Sequence, residues 1–241
     1  MKGIILAGGK ATRLRPLTLV TSKQLLPVYN QPMIYYPLQT LLKAGIKEIL
    51  IIIAPDYAGH FLHLLGSGKE FGAKFTYEIQ EQPKGLADAF IIGKDFIDDD
   101  DVAMILGDNI FSDDLSEEIN TFQSGGRVFA IKVPDPERYG VVKFDQGNKA
   151  ELIVEKPKEK IGDHAVTGLY VYDKRVCGFA KELRPSERGE IEITDINNKY
   201  LELGELDVRK VPGKWFDAGT FDSLLEASNF IAEREKGKTK R

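Results

Sequence analysis

The sequence predicts an α/β protein with a doubly wound, mostly parallel central sheet and a smaller additional β region. Two observations predict this class. Up to Leu106, short apolar runs typical of buried strands alternate with segments whose apolar residues recur at helical spacing. After Asp113, four strand-like runs follow one another with turns between them. Alternating strands and helices imply right-handed crossovers, and therefore a mostly parallel sheet.

The predicted elements follow from these patterns in chain order. A helix at 32–44 has Ile34, Leu38 and Leu41 on one face and ends near Gly45, and a helix at 56–65 ends before Gly66. Strands are predicted at 2–6, 48–53, 75–79, 102–106, 128–133, 141–144, 151–154, 166–172 and 207–211. Further helices are predicted at 86–93, 175–183, 191–203 and 220–233, followed by a frayed, charged tail at 234–241.

Composition excludes several classes of protein. The 241 residues are 42% hydrophobic, which is enough for a sizeable core. A net charge of −4 argues against a nucleic-acid binder. The single cysteine, Cys177, excludes an internal disulfide, and no apolar run approaches the ~20 residues of a membrane span. We expect a single cytoplasmic domain over 1–241, with no nucleic-acid or membrane partner.

Two glycines directly after the first strand are the first candidate for function. Ligands of open α/β sheets gather at the carboxyl ends of strands, and glycine lets backbone N–H groups approach a phosphate. Gly8 and Gly9 occupy that position, Thr12 and Arg13 follow, and Lys23 supplies a second cation. The spacing fits neither a dinucleotide-binding fingerprint nor a P-loop. Taken alone, it is equally typical of an ordinary turn between strand and helix.

Three further positions carry charged side chains beside predicted strands or turns. Asp108 follows a buried strand and Asp217 precedes a small-residue turn, so both are candidate Mg²⁺ ligands. Each could instead cap a turn or a helix. Glu155 and Lys156 follow a strand and could bind sugar hydroxyls and a phosphate, although a surface turn also explains them.

The glycine loop, the two acids and the Glu155-Lys156 pair follow one another in the same order as in the glucose-1-phosphate thymidylyltransferases, and the sequence resembles this family within the sugar nucleotidyltransferase superfamily. The resemblance covers nearly the whole chain. Its motifs are GGKATRLRPLT at 8–18, SKQLLPVY at 22–29, PMIYYPL at 32–38, GDNIF at 107–111, YGVV at 139–142, EKP at 155–157, TGLY at 167–170, EIEITD at 190–195, DAGT at 217–220 and LLEASN at 224–229.

The resemblance implies a Rossmann-like nucleotidyltransferase fold and a role for each matching residue. The nucleotide would contact Leu6, Gly8, Gly9, Thr12, Arg13, Gln24, Gln80, Gly85 and Leu86. The sugar phosphate would contact Asn109, Tyr139, Gly140, Glu155, Lys156, Val166 and Arg188. Arg13, Lys23 and Asp108 would be catalytic, and Asp108 and Asp217 would hold Mg²⁺. The nucleotide part would span roughly 1–112 and the sugar-phosphate part roughly 113–220, with a C-terminal helix at 220–235.

The implied reaction joins dTTP and glucose 1-phosphate into dTDP-glucose and pyrophosphate, in a homo-oligomer (dimer or tetramer). The alternatives are a nucleotidyltransferase for another base or sugar, such as a uridylyltransferase, and a catalytically silent nucleotide-sugar-binding module.

Two departures from the family pattern stand out. Ala11 replaces the usual glycine, so we expect a negative φ there. The chain also ends soon after Glu233, whereas longer members continue with helices that serve assembly and an allosteric site, which puts feedback control and tetramer geometry in doubt.

Overall fold

A nine-stranded mixed sheet lies at the centre of the computed structural model, which describes residues 1–239. The strands are β1 Lys2–Ala7, β2 Pro27–Val28, β3 Gln31–Pro32, β4 Glu48–Ile53, β5 Lys74–Ile79, β6 Val102–Leu106, β7 Asn109–Phe111, β8 Gly126–Lys132, β9 Gly140–Phe144, β10 Ala150–Glu155, β11 His164–Tyr172, β12 Leu206–Lys210 and β13 Trp215–Asp217. The α-helices are α1 Tyr35–Lys43, α2 Ala58–Leu65, α3 Asp88–Ile92, α4 Lys94–Ile97, α5 Ser116–Asn120, α6 Val176–Glu182, α7 Ile193–Glu202 and α8 Phe221–Thr239.

The strand order explains where a ligand can bind. Strands β5, β4, β1 and β6 are parallel neighbours in that order. The chain builds outward from β1 through β4 to β5, then returns to place β6 on the other side of β1. This reversal is the point at which open α/β sheets bind ligands, just beyond the carboxyl ends of the strands.

Strand β11 connects this parallel sheet to the additional β region. Its second half, from Leu169 to Tyr172, pairs antiparallel with β6. Its first half pairs at His164 and Ala165 with β9, which forms a hairpin with β10. On its opposite edge β11 pairs with β8, and β12 lies parallel to β8. The additional β region is therefore continuous with the main sheet.

Helices cover both faces of the sheet, as predicted. In β1, Ile4 and Leu6 pack into the core on one face, whereas Ile5 and Ala7 pack into the core on the other. The first core includes side chains of α3, α6 and α7, and the second includes side chains of α1 and α2. Strands buried on both faces produce the continuous apolar runs seen in the sequence. The doubly wound α/β class is confirmed.

Several predicted boundaries differ from the structure. Helix α1 begins three residues later than predicted, at Tyr35, because Pro32 pairs with Pro27 in the small β2–β3 sheet. Helix α7 begins at Ile193 because the backbone of Glu192 is extended, with φ −78° and ψ 133°. The predicted frayed tail is wrong as far as Thr239, which α8 reaches, while 240 and 241 lie outside the described residues.

None of the helices within residues 1–239 combines the length and apolar character needed to cross a membrane.

Candidate active site

A cleft of about 520 Å³ lies where the sheet order reverses, and we call it the main cleft. It brings together residues from both halves of the chain. The predicted site residues that line it are Leu6, Gly9, Arg13, Lys23, Gln24, Gln80, Gly85, Leu86, Asp108, Asn109, Tyr139, Gly140, Glu155, Lys156, Val166, Arg188 and Asp217. Of the remaining two, Gly8 packs beside Gln80, and Thr12 begins a short 3-10 turn, with neither on the cleft wall.

The loop at 8–13, which we call the phosphate loop, follows β1. The backbone N–H groups of Gly9, Lys10, Ala11 and Thr12 donate to no other group within residues 1–239. Ala11 has φ 47° and ψ 41°, so the expected negative φ is wrong. Successive free N–H groups around a left-handed residue form a concave anion-binding nest. The hydroxyl of Thr18 holds this shape by donating to the carbonyl of Ala11 at 2.8 Å.

Gly8 is required by the close approach of Gln80. A Cβ at Gly8 would stand 2.5 Å from Oε1 of Gln80, which is closer than real Cβ atoms come. Gln80 is buried, and its Nε2 donates to Asp88 at 2.9 Å. Gln24 is also buried, and its Oε1 accepts from the Ser22 hydroxyl at 2.5 Å. Both glutamines are therefore held in fixed orientations on the cleft wall.

Gly85 lines the same part of the cleft. Its φ of +110° and the Ile191 carbonyl, 2.4 Å from where a Cβ would stand, leave room only for glycine.

The two candidate metal ligands approach the cleft from different strands. Asp108 lies in the turn between β6 and β7, and Asp217 ends β13. Strand β13 pairs antiparallel with β7, so that Asp217 lies opposite Asn109. The N–H of Ala218 donates to the carbonyl of Asp108 at 3.0 Å. The sheet pairing thus holds two acids, distant in sequence, at one edge of the cleft.

The pKa values of the two acids at this edge are shifted in opposite directions. Burial acts to raise the pKa of Asp108, but the charge and hydrogen bond of Lys23, together with the hydrogen bond from Asn109, outweigh it, so the pKa is lowered. Burial, together with the charge of Asp108, raises the pKa of Asp217 to about 6, against the opposing effect of Lys23 and Arg13. A buried and a partly buried carboxylate with too little positive charge between them favour an added cation.

The donor set fits a metal ion that is shared with a phosphate. Within the described chain, no cluster of three or more His, Cys, Asp or Glu side chains could enclose a metal by itself. Mg²⁺ is typically held by one or two carboxylates together with substrate phosphates. Asp108 and Asp217, beside the anion-binding nest, match that pattern.

Asn109 fixes the geometry around these acids. Its Oδ1 accepts from the N–H of Gly168 at 2.9 Å and from Nε1 of Trp215 at 2.6 Å. Its Nδ2 donates to Oδ1 of Asp108 at 3.1 Å. The side chain thus links β7 to β11 and β13 around the cleft. Its predicted contact with the sugar phosphate stays a prediction.

Glu155 and Arg188 also line the main cleft. Oε2 of Glu155 accepts from the Thr194 hydroxyl at 2.7 Å. The Arg188 guanidinium lies 3.5 Å from Oε1 of Glu155, 2.9 Å from Glu190 and 2.8 Å from Glu192. Three carboxylates therefore neutralise Arg188, and a phosphate would have to compete with them.

Sequence reasoning missed other residues on the cleft wall, including Arg138, Thr194 and Trp215. Arg138 pairs with Asp135 at 2.6 Å, and its charge also lowers the pKa of Asp217. The available signal was position in the sequence, because Thr194 lies within the motif at 190–195, and Arg138 and Trp215 lie within two residues of the motifs at 139–142 and 217–220.

A family model described as nucleotidyl transferase matches residues 2–234. The chain belongs to this family. Glucose-1-phosphate thymidylyltransferase of Neisseria meningitidis is 51% identical over 238 residues, covering 96% of this chain and 82% of the relative. The enzyme of that name from Mycobacterium tuberculosis is 49% identical over 241 residues, covering 98% and 84%.

A solved structure agrees with these sequence matches. A crystal structure of a candidate glucose-1-phosphate thymidylyltransferase from Bacillus anthracis, in complex with a sucrose, superposes with a TM-score of 0.90. It is 48% identical and covers 95% of this nucleotidyl transferase and 94% of that chain. The resemblance inferred from the motifs is confirmed. Nucleotidyl transferases of this kind typically use a divalent metal ion and take a nucleotide and a sugar phosphate as substrates.

Proposed function

We propose that this nucleotidyl transferase condenses dTTP with α-D-glucose 1-phosphate to give dTDP-glucose and pyrophosphate, and that it uses Mg²⁺. The observation that carries the proposal is identity near 50%, over more than nine tenths of the chain, to relatives named for this activity. The main cleft supports it, because cationic side chains and two acids line the same cleft as the residues of both predicted substrate subsites.

The chemistry needs no protein nucleophile. A phosphate oxygen of glucose 1-phosphate, already anionic near neutral pH, attacks the α-phosphorus of dTTP in line, and pyrophosphate leaves. The residues have to orient two anions and offset their repulsion, so catalysis rests on positioning and electrostatic stabilisation. The phosphate loop, Arg13 and Lys23 supply positive charge and N–H donors for the phosphates.

The remaining predicted residues select and orient the two substrates. Gln24 and Gln80 hydrogen-bond the base edge, with Gly85 and Leu86 forming the pocket wall. Glu155 accepts hydroxyl groups of the sugar, while Lys156 and Arg188 bind its phosphate. Mg²⁺, held by Asp108 and Asp217 when bound, would neutralise charge on the triphosphate and the leaving group.

A grid of substrates tests the proposal. Pyrophosphate release is measured for each nucleoside triphosphate with each sugar 1-phosphate, with and without Mg²⁺. We expect the highest kcat/KM for dTTP with glucose 1-phosphate, and loss of turnover when the metal is chelated. Since thymine and uracil differ by one methyl group, worth ~1–3 kcal/mol in an apolar pocket, residual activity with UTP is expected. A clear preference for UTP, or no release from any pair, would contradict the proposal.

A further inference from the structure

Asp88 is a buried acid that the proposed mechanism does not use. It is the first residue of α3, and its exposure is only 7%. It does not line the main cleft, and within residues 1–239 it forms no ion pair with another side chain. Acidic side chains are almost never buried unless they are paired. The burial of Asp88 therefore has to be explained by the side chain to which it is hydrogen-bonded.

That side chain is Gln80, which lines the main cleft. Nε2 of Gln80 donates to Oδ2 of Asp88 at 2.9 Å. An ionised carboxylate has no hydrogen to donate, so only the NH₂ group of the amide can face it. A hydroxyl or an amide in the place of Asp88 could bond either end of Gln80. The carboxylate therefore allows a single orientation of the Gln80 amide.

The other end of the amide, Oε1 of Gln80, is left as an acceptor. It accepts no hydrogen bond from the described part of the chain, and it is not sealed off from solvent. It lies against the backbone of Gly8, 2.5 Å from where a Cβ would stand. A ligand in the main cleft that carries an N–H group can therefore complete the hydrogen bonding of Gln80.

We propose that Asp88 is a positioning residue for base selection, and this rests on the proposed function. By holding Nε2, it presents Oε1 of Gln80 to the base as an acceptor only. Thymine in a nucleotide has a single N–H group, at N3, so this is the group that Oε1 binds. Uracil has the same N–H, whereas N3 of cytosine carries no hydrogen and would repel Oε1. A site built around one hydrogen bond rejects an analogue that lacks the donor.

The preference for dTTP over dCTP tests this inference, because an acid with only a structural role would affect both nucleotides alike. In Asp88→Asn the side chain keeps its shape but can donate as well as accept, so both orientations of Gln80 become available. We expect the ratio of kcat/KM for dTTP to kcat/KM for dCTP to fall about tenfold, the effect of one hydrogen bond. KM for dTTP should change more than kcat, since a contact made equally in the ground state and the transition state acts on KM.

Asp95→Asn is the matched control. Asp95 lies in the first turn of the neighbouring helix α4, but it is exposed and lies outside the main cleft. The ratio of the two kcat/KM values should equal that of the wild type.

An exchange of the two groups tests the pairing directly. Gln80→Glu alone sets two buried acids against each other, and we expect KM for dTTP to rise at least about tenfold. When it is combined with Asp88→Asn, the introduced amide donates to the introduced carboxylate, which still offers an acceptor to N3–H. The double variant should therefore recover most of the loss, so that the two effects are not additive.

Two results would overturn the inference, with circular dichroism showing that the variants are folded. The first is a preference for dTTP over dCTP in Asp88→Asn that equals the wild-type preference. The second is additive losses in the double variant.

Failure of the proposed function gives a different result. A wild-type enzyme that prefers UTP contradicts that function but supports the role of Asp88, because uracil carries the same N3–H. If the wild-type protein shows no turnover, calorimetric titration with dTTP and with dCTP decides the inference alone. A preference for dTTP that Asp88→Asn reduces supports it, and equal affinities for the two nucleotides, or no binding of either, reject it.

Discussion

Lys23 and Asp108 form an ion pair that joins the segment following the phosphate loop to the turn between β6 and β7. Both side chains are largely buried, at 15% and 8% exposure, so neither charge is well solvated.

Substituting Asp108 by Asn removes the charge and keeps the shape. We expect kcat to fall by at least about 100-fold, the order of loss when one electrostatic contribution to a transition state is removed. Steady-state pyrophosphate release at saturating Mg²⁺ measures it, with the exposed acid Asp114→Asn as control. A folded Asp108→Asn enzyme with near-normal kcat would rule out the metal-ligand role.

A methyl group at Gly8 would displace Gln80. In Gly8→Ala the new Cβ meets Oε1 at 2.5 Å, so the glutamine has to move from its bond to Asp88. We expect KM for the nucleotide to rise about tenfold or more, with KM for the sugar phosphate changing little. Gly178→Ala is the control, since no atom lies within 4 Å of its added Cβ, and it should stabilise α6 by ~0.5–1 kcal/mol. Equal nucleotide KM values for Gly8→Ala and the wild type would contradict the expectation.

The left-handed conformation of Ala11 carries a steric cost of ~1–2 kcal/mol. Ala11→Gly removes that cost, but the greater freedom of glycine in the unfolded chain costs ~0.4–1 kcal/mol, so we expect a net stabilisation of ~0–1.6 kcal/mol. Ala11→Val should destabilise by more than ~1 kcal/mol, because a β-branched side chain fits this region worst. Urea unfolding of both variants measures the difference. A valine variant as stable as the wild type would show that the loop does not keep this conformation.

Asn109→Ala should destabilise the whole cleft. It leaves the N–H of Gly168 and Nε1 of Trp215 without their acceptor. Each buried donor left unpaired costs ~1–3 kcal/mol, so we expect the free energy of unfolding to fall by at least ~2 kcal/mol. Asn198→Ala is the comparison, since its Nδ2 donates a single hydrogen bond, to Ile153 at 3.0 Å, and a smaller loss is expected. Equal losses in the two variants would count against the role of Asn109 as a shared acceptor.

The strands of the main sheet can be predicted because a strand buried on both faces is a continuous apolar run in the sequence. The bounds of β4 and β6 match the prediction residue for residue, since each is a continuous apolar run. The position of the phosphate loop followed from the glycines after β1. The cleft residues came from motifs in family order, and all but Gly8 and Thr12 line the main cleft.

What the sequence did not reveal depends on contacts between distant segments. Strands β7 and β13 have three residues each, too few for a periodic pattern, yet their pairing brings Asp217 opposite Asn109. The negative φ expected for Ala11 is wrong because alanine normally avoids positive φ. The left-handed conformation is supported by a hydrogen bond from Thr18, which lies seven residues away and gives no local signal. The neutralisation of Arg188 likewise needs Glu155, which is distant in sequence.

Strand β11 bears on how the chain can be divided. The predicted nucleotide part at 1–112 ends before β11, whose second half covers the outer edge of β6. A fragment cut at that boundary would expose the N–H and C=O groups of β6 as an open edge flanked by apolar side chains. Such edges recruit strands from other molecules. A fragment meant to study the nucleotide part should therefore retain β11.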